Sequence, residues 1–202
     1  MLLKRMQPYW RNILKNKKIF TGNYYICKKI AMILIVLIVF TGCGQNRITE
    51  KEEKKETVES EMNAEVKKTA QTFRSVYMKE KSELNTLKVK RKIINCLEEK
   101  GYAAVDCDNQ IDMVNREKVE EFCKAAEKEE QAAVDIVVVF DEGEIIQYHL
   151  ESMNGKINVR LCQVKWKDNS PQANYYDEYE AYEWKYTEKG YLFLEEYHPP
   201  GF

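Results

Sequence analysis

The residue of this chain whose surroundings most clearly indicate chemistry is a cysteine, Cys43, that follows a short apolar segment. Two lysines precede an uninterrupted apolar run over residues 30–40, and two small residues then lead to Cys43. A positive flank, a short apolar run and small residues at a cleavage point are the three parts of a secretory signal. The run reaches only about half of the ~20 apolar residues that a membrane-spanning helix needs. We therefore predict a processed signal peptide over residues 1–42, with a long basic first part.

The four residues Phe40-Thr41-Gly42-Cys43 resemble a bacterial lipobox, whose cysteine is acylated and becomes the mature N-terminus. Two or more acyl chains, such as palmitate, hold a protein durably at a membrane. Cys43 is therefore the predicted lipidation site, and the predicted location is the extracytoplasmic face of the cell membrane. In the alternative interpretation the apolar stretch is unprocessed and Cys43 follows it by chance. A translation start nearer Ile26 would explain the length of the basic part.

The distribution of charged residues also changes at this cysteine. Residues 1–42 hold eight of the 32 basic residues and none of the 33 acidic ones, so cleavage shifts the formal charge from −1 to about −9. Nucleic-acid binding draws on a basic patch, so we expect no nucleic-acid partner for an acidic mature protein. Residues 43–61 then form the lipidated N-terminus and a tether rich in Lys and Glu, which is too polar to fold onto a core. A solvated helix is the alternative for this tether, because Glu and Lys recur at four-residue spacing.

The remaining residues, 62–202, have the size of one domain. Apolar residues at helical spacing predict helices over residues 62–80 and 83–99. Gly101 is placed to end the second helix in a left-handed conformation. The following residues, 102–105, predict a short strand.

A further helix is predicted after Asn115. Asparagine is a favoured N-cap, because its side-chain oxygen can accept a hydrogen bond from the first turn. Val114, just before it, is expected to pack onto Val119 as a hydrophobic staple. Phe122 and Cys123 continue the apolar face of Val119, so this helix should pack on the core through these residues.

The second half of the domain has the period of strands. Alternating and β-branched residues predict five strands, at 134–140, 145–152, 157–166, 179–187 and 191–197. Asn154-Gly155 is the strongest turn signal, because both central positions of a type I′ turn need positive φ. A loop over residues 167–174 separates the third and fourth strands. The predicted fold is therefore α+β, with N-terminal helices plus one further helix packed on an antiparallel β-meander.

Three stretches of this domain carry a resemblance to other proteins: residues 100–106 (KGYAAVD), 119–123 (VEEFC) and 184–192 (WKYTEKGYL). They resemble a group of uncharacterised surface lipoproteins from Gram-positive anaerobic bacteria. The likeness covers residues 62–200. It implies no known activity and therefore transfers no catalytic residue. It also implies that related chains extend beyond the end of this one, in which case this domain is a shortened version.

His149 and His198 are the only two histidines of the chain. The sequence contains no HExxH, GxSxG, Walker or GxGxxG motif around which a catalytic site could form. A small extracytoplasmic hydrolase that uses His149 or His198 is therefore kept as an alternative function. Both positions favour a structural or surface role, because His149 alternates within a strand and His198 adjoins a proline. No cofactor is implied.

Four cysteines of the mature domain could pair, bind metal or lie buried as thiols. They are Cys96, Cys107, Cys123 and Cys162. The absence of a CxxC pair argues against zinc, whereas two disulfides remain an alternative to buried thiols. The acidic residues from Asp106 to Glu117 partly follow calcium-loop spacing, but Ile111 replaces the glycine that the sharp turn requires. We therefore expect no metal site.

Aromatic residues are concentrated in the last part of the chain, from Trp166 to Phe202. Tyr182, Trp184 and Tyr186 alternate along one predicted strand and would share one face. Such a row can bind a glycan or a peptide, although it more often holds a sheet together through cross-strand pairs. The predicted function is thus a membrane-tethered, non-enzymatic binding module for a glycan or protein of the cell envelope, with these three residues as the candidate binding site.

Overall fold

The computed structural model describes residues 46–188 and 190–197, with side chains from residue 55 onward. The predicted signal segment, Cys43 and His198 lie outside the described residues. The described part begins with helix α1 (Asn46–Gln71), so residues 46–60 adopt the helical alternative rather than an irregular tether. No helix in this part of the chain is long and apolar enough to cross a membrane.

The helix predicted over residues 62–80 is interrupted and resumes as α2 (Arg74–Lys79). The cause is local. The amide and the hydroxyl of Thr72 both donate to the carbonyl of Thr69, at 3.1 and 2.7 Å, which tightens the last turn of α1. Phe73 then lies fully buried in the core. The prediction of one continuous helix was therefore wrong at this point.

The second predicted helix begins later than residue 83. A 3₁₀ turn (Lys81–Glu83) comes first, and α3 spans Leu87–Glu99. Thr86 sets this start, since its hydroxyl accepts the amide of Val89 at 3.4 Å and so caps the helix. Gly101 ends the helix in a left-handed conformation, with φ of 83°, as predicted.

Five strands form one mixed sheet. They are β1 (Ala103–Asp106), β2 (Ala132–Val139), β3 (Ile145–Met153), β4 (Lys156–Lys167) and β5 (Ser170–Glu180). The order in the sheet is β1-β2-β3-β4-β5, with β1 parallel to β2 and the other neighbours antiparallel. Helix α4 (Arg116–Glu127) connects the parallel pair. The α+β class is confirmed, and the antiparallel meander comprises β2 to β5.

The start of α4 differs from the prediction. Asn115 has a left-handed conformation, and its side chain makes no capping bond to the helix. Its amide group donates instead to the carbonyl of Tyr102 at 2.8 Å, which ties the start of α4 to the end of α3. Val114 and Val119 pack in different core clusters, on opposite faces of the sheet. Asn115 therefore occupies the N-cap position, as predicted, but without the expected capping bond, and the predicted staple was wrong.

Two tight turns set the strand register. Asn154 and Gly155 join β3 to β4 with φ of 54° and 77°, as predicted. Asp168 and Asn169 join β4 to β5 in the same way, with φ of 50° and 63°. Asn and Asp tolerate this left-handed region because their short polar side chains can bond locally. The loop predicted over residues 167–174 is therefore a hairpin turn followed by β5.

The last two predicted strands form a separate ribbon, β6 (Glu183–Tyr186) and β7 (Leu192–Glu195). The strand predicted over residues 179–187 is thus divided between β5 and β6. The division lies at Ala181, which is buried and donates its amide to the carbonyl of Ile157 at 2.8 Å. The next amide, that of Tyr182, donates to the carbonyl of Glu195 at 2.7 Å, so the chain leaves β4 there, and the ribbon packs on one face of the sheet and does not extend the meander.

Two apolar clusters cover the two faces of the sheet. The first cluster joins α4 and the ribbon to the face that carries Ile136 and Leu161. The second cluster joins α1 and α3 to the opposite face, which carries Val137 and Cys162. The alternation of side chains along each strand produces this division. Helix α4 and the ribbon therefore lie on the same side of the sheet.

Candidate functional site

The structure separates the three aromatic residues of the predicted binding row. Tyr182 precedes β6, is 63% exposed and contacts the ring of Tyr197 at a centroid distance of 5.3 Å. Trp184 and Tyr186 lie on one face of β6 and pack against the first core cluster. Tyr182 is thus exposed and lies just outside β6, whereas Trp184 and Tyr186 are half-buried, so the three side chains do not form a single exposed row.

Trp184 holds the ribbon on the sheet. Its indole N–H donates to the carbonyl of Gly155, in the β3–β4 turn, at 3.4 Å. Its ring is half-buried against the first core cluster. The structure thus gives Trp184 a packing role, whereas a role in binding stays a prediction.

An open cleft lies between α4 and the loop that joins β6 to β7, and Tyr186 lines it. Its volume is about 420 Å³, inside the range of ~300–1,000 Å³ that is usual for ligand sites. One wall is a stripe of α4 whose positions recur every three or four residues and so share one side of the helix. This stripe consists of Arg116, Glu120, Cys123, Lys124 and Glu127.

The opposite wall is the β6–β7 loop, whose shape is held by hydrogen bonds to Thr187. Its carbonyl accepts the amide of Gly190 at 2.9 Å, and its hydroxyl accepts the amide of Tyr191 at 3.0 Å. Gly190 has φ of 79°, a conformation that glycine adopts without strain. A Cβ there would lie 3.6 Å from the hydroxyl of Tyr186 and 3.8 Å from the guanidinium of Arg116. The loop therefore approaches α4 closely at a position without a side chain.

Three polar groups connect the two walls. Nε of Arg116 donates to Glu120 at 2.9 Å, and the hydroxyl of Tyr186 donates to the same carboxylate oxygen at 3.4 Å. Burial and the charge of Glu120 raise the pKa of Tyr186, so its hydroxyl stays protonated at neutral pH. Burial also raises the pKa of the neighbouring Cys123 thiol to about 12, which leaves no thiolate to act as a nucleophile.

The other charged residues that line the cleft lack ion pairs within the described residues. In the part of the chain that the structure describes, Lys124, Glu127 and Glu188 form no ion pair within 4.0 Å. All three are exposed at the mouth of the cleft. The cleft thus combines unpaired charges of both signs with the phenol of Tyr186.

His149 lies on the opposite face of the sheet, beside the second core cluster. Its Nδ1 is hydrogen-bonded to Asp135 at 2.9 Å and its Nε2 lies 3.3 Å from Glu151, while Glu151 also accepts from Arg160 at 3.0 Å. The hydrogen bond with Asp135 is the main cause that raises the pKa of His149, against the opposing effect of burial. Because both ring nitrogens bond to carboxylates, the charged imidazolium is favoured and neither nitrogen is free to act as a general base.

The region that forms this fold and this cleft matches one family model. The model describes a family of unknown function, DUF6070, and matches residues 55–202. The chain belongs to the DUF6070 family. No curated protein and no solved structure matches the chain. The match agrees with the expected resemblance to an uncharacterised group, while the lipid anchor and the source in Gram-positive anaerobes stay predictions.

A buried cation of the DUF6070 domain lies at the ends of β1 and β2. The ammonium of Lys90, which is 3% exposed, pairs with Asp108 at 3.0 Å and with Asp141 at 2.8 Å. Asp106 accepts the amide of Ile111 at 2.6 Å. Asp106 and Asp108, two of the residues that partly follow calcium-loop spacing, are therefore bonded to the protein itself. Within residues 46–188 and 190–197, no three His, Cys, Asp or Glu side chains converge on a metal position.

The four cysteines of the DUF6070 domain are free thiols, so the two-disulfide alternative is not realised. Burial raises the pKa of all four thiols, to about 11 for Cys107 and Cys162 and to about 12 for Cys123, and Cys96 shifts in the same direction. A thiol whose pKa lies this high is weakly reactive near neutral pH. These cysteines therefore act as small buried or half-buried side chains.

Sequence analysis identified Tyr186 of the cleft but missed the residues on α4. A signal was present, because the apolar face of α4 was recognised and the charged stripe beside Cys123 follows the same helical spacing. The missing information was the contact between α4 and the ribbon, which brings Tyr186 to Glu120 over a separation of 66 residues. Local patterns do not encode a contact over that distance.

Proposed function

We propose that this protein is an extracytoplasmic lipoprotein that acyl chains on Cys43 hold at the membrane. We further propose that its DUF6070 domain is a non-enzymatic module that binds a component of the cell envelope. The anchor is supported by the positive flank, the apolar run over residues 30–40 and the small residues before Cys43. The mature chain is strongly acidic, which supports a partner other than a nucleic acid.

The observation that carries the binding role is the cleft between α4 and the β6–β7 loop. It has a ligand-sized volume and a wall that Thr187 closes through two hydrogen bonds. A protonated phenol, Tyr186, lines the same space as Lys124 and Glu127, two charged side chains without an ion pair among the described residues. Groups of this kind can orient a ligand through hydrogen bonds and ion pairs without carrying out a chemical step.

The surroundings of His149 support binding over the hydrolase alternative. A hydrolase of the Ser-His or Cys-His kind needs a nucleophile within hydrogen-bond reach of an unprotonated ring nitrogen. Both ring nitrogens of His149 instead bond to the carboxylates of Asp135 and Glu151. Cys162, on the same face of the sheet, bonds to Asn63 at 3.1 Å and not to His149.

Growth with radiolabelled palmitate tests the anchor. The wild-type protein should carry the label and Cys43→Ala should not, because that thiol is the proposed acyl acceptor. Cys96→Ala is the matched control, since it removes a thiol of the folded domain and should stay labelled. Undiminished label on Cys43→Ala would refute the anchor at this residue.

Sedimentation with delipidated cell-envelope material tests the binding role. Full-length protein in detergent micelles should sediment with the material, and Lys124→Glu should reduce the bound fraction. Lys128→Glu makes the same charge change just after α4 and outside the cleft, so it should bind like the wild type. A wild type that does not sediment, or a Lys124→Glu variant that binds equally well, would contradict the proposal. A loss of binding that occurs only in Tyr182→Ala would place the site at the Tyr182–Tyr197 pair instead.

A further inference from the structure

We propose that the cleft between α4 and the β6–β7 loop binds a short, extended peptide that carries a free carboxylate at one end and a free amine at the other. This inference rests on the binding role proposed above and specifies the ligand of the same site. In this arrangement, Arg116 receives the carboxylate and Glu127 receives the amine.

The charges of the cleft favour a ligand with both signs of charge. Arg116 and Glu120 already pair at 2.9 Å, so they largely compensate each other. Among the residues that the structure describes, the cleft charges without an ion pair within 4.0 Å are the ammonium of Lys124 and the carboxylates of Glu127 and Glu188. A polyanion would meet two unpaired carboxylates, and a neutral glycan would leave the charged groups partly desolvated without partners. A zwitterion satisfies charges of both signs.

Arg116 remains able to bind a carboxylate although it pairs with Glu120. Only its Nε takes part in that ion pair, and its side chain is 60% exposed. A guanidinium has five N–H donors in a planar fork, so its terminal nitrogens can still donate to a second carboxylate. Gly190 lies beside one of these nitrogens, where a Cβ would come within 3.8 Å. A side chain at this position would occupy space beside the guanidinium, and glycine leaves that space free.

The length of the α4 wall sets the length of the peptide. Arg116 and Glu127 are eleven positions apart on one helix, which corresponds to about 16 Å at a rise of ~1.5 Å per residue. An extended peptide covers ~3.3–3.6 Å per residue. A peptide of roughly four to five residues therefore places its terminal carboxylate at Arg116 and its terminal amine at Glu127.

A titration of the full-length protein in detergent micelles with tetra-alanine tests the inference. Amide resonances of α4 and of the β6–β7 loop should shift, and the rest of the sheet should not. Either C-terminal amidation or N-terminal acetylation of tetra-alanine should weaken binding by roughly 5- to 10-fold, because each removes one charge-assisted contact. Chitotetraose serves as a neutral glycan of similar length and should leave these resonances unchanged.

Pairing the peptide changes with protein changes tests the proposed orientation. Arg116→Gln should weaken binding of tetra-alanine by roughly 5- to 10-fold and should have no further effect on the amidated peptide. Glu127→Gln should behave in the same way toward the acetylated peptide. Lys128→Gln and Glu121→Gln are the controls, since both are exposed on or next to α4 and do not line the cleft. Thermal unfolding should be nearly unchanged in all four variants, because exposed ion pairs contribute little to stability.

Several outcomes would overturn the inference. One is the absence of resonance shifts with tetra-alanine. Another is an affinity that does not change when the peptide is amidated or acetylated. A third is a shift of the same resonances with chitotetraose. If tetra-alanine fails while Lys124→Glu still abolishes sedimentation with envelope material, the binding role stands and only the peptide assignment is wrong. If wild-type protein binds neither tetra-alanine nor envelope material, the binding role falls as well.

Discussion

Replacing Tyr148 by phenylalanine should stabilise the domain, although removing a buried hydroxyl usually destabilises a protein. Tyr148 lies in β3 within the first core cluster and is 6% exposed. Its hydroxyl has no hydrogen-bond partner among the described residues, and burial raises its pKa. A buried hydroxyl without a partner costs about 1–3 kcal/mol. Phenylalanine keeps the ring and removes this cost, so we expect the free energy of unfolding to rise by about 1 kcal/mol or more.

Tyr102→Phe is the matched control for this change. The hydroxyl of Tyr102 is hydrogen-bonded to that of Thr69 at 3.0 Å. Its removal should therefore lower the free energy of unfolding by about 1 kcal/mol. For a domain of this size, such changes shift the midpoint of thermal unfolding by roughly 3 °C, upward for Tyr148→Phe and downward for Tyr102→Phe.

Urea unfolding followed by near-ultraviolet circular dichroism measures both variants on one scale. The midpoints should move in opposite directions while the slope with urea stays constant, since neither change alters the surface exposed on unfolding. If Tyr148→Phe instead loses as much stability as Tyr102→Phe, the hydroxyl of Tyr148 must have a partner, such as an ordered water molecule. That result would refute the reasoning.

Two further changes test other parts of the fold. His149→Gln should destabilise the protein more at pH 5.5 than at pH 9 in urea unfolding. Protonated His149 stabilises the folded state, because folding raises its pKa. This stability is fully present below the ordinary pKa of 6.5 and is lost as the pH rises through the pKa of the folded state. Equal losses at both pH values would argue against this assignment. Gly155→Ala should lower the free energy of unfolding by about 1–2 kcal/mol in calorimetry, because φ is 77° and the new Cβ would lie 3.4 Å from Glu129. An unchanged stability would show that the turn accepts a side chain.

The features that sequence predicted correctly are those that local chemistry determines. Asn154 and Gly155 need no distant partner to form a tight turn, and Gly101 can end a helix by itself. The failures lie where a distant contact decides. The amide of Ala181 still bonds to Ile157 in the register of β4 and β5, whereas the amide of Tyr182 donates to Glu195 of the ribbon, and this change of partner divides a continuous strand pattern into two strands.

The same distinction applies to the candidate site. Tyr186 could be selected from its residue type and its alternation along a strand. Its pairing with Glu120 depends on the ribbon folding back toward α4, which alternation does not specify. His149 was selected because it is one of two histidines, whereas its bonds to Asp135 and Glu151 required the register of β2 and β3. Residue types therefore identified candidates, and only the fold showed what each candidate can do.

Helix α1 changes what anchoring at Cys43 would mean for the domain. Only residues 44 and 45 separate Cys43 from Asn46, where α1 begins, and Met62 is a buried residue further along the same helix. At ~1.5 Å per residue, the helix covers about 24 Å between these two positions. A flexible tether would allow a range of distances from the bilayer, whereas a helix that continues into the core sets one distance. Because α1 and the cleft lie on opposite faces of the sheet, the proposed anchor and the proposed ligand site would not compete for the same surface.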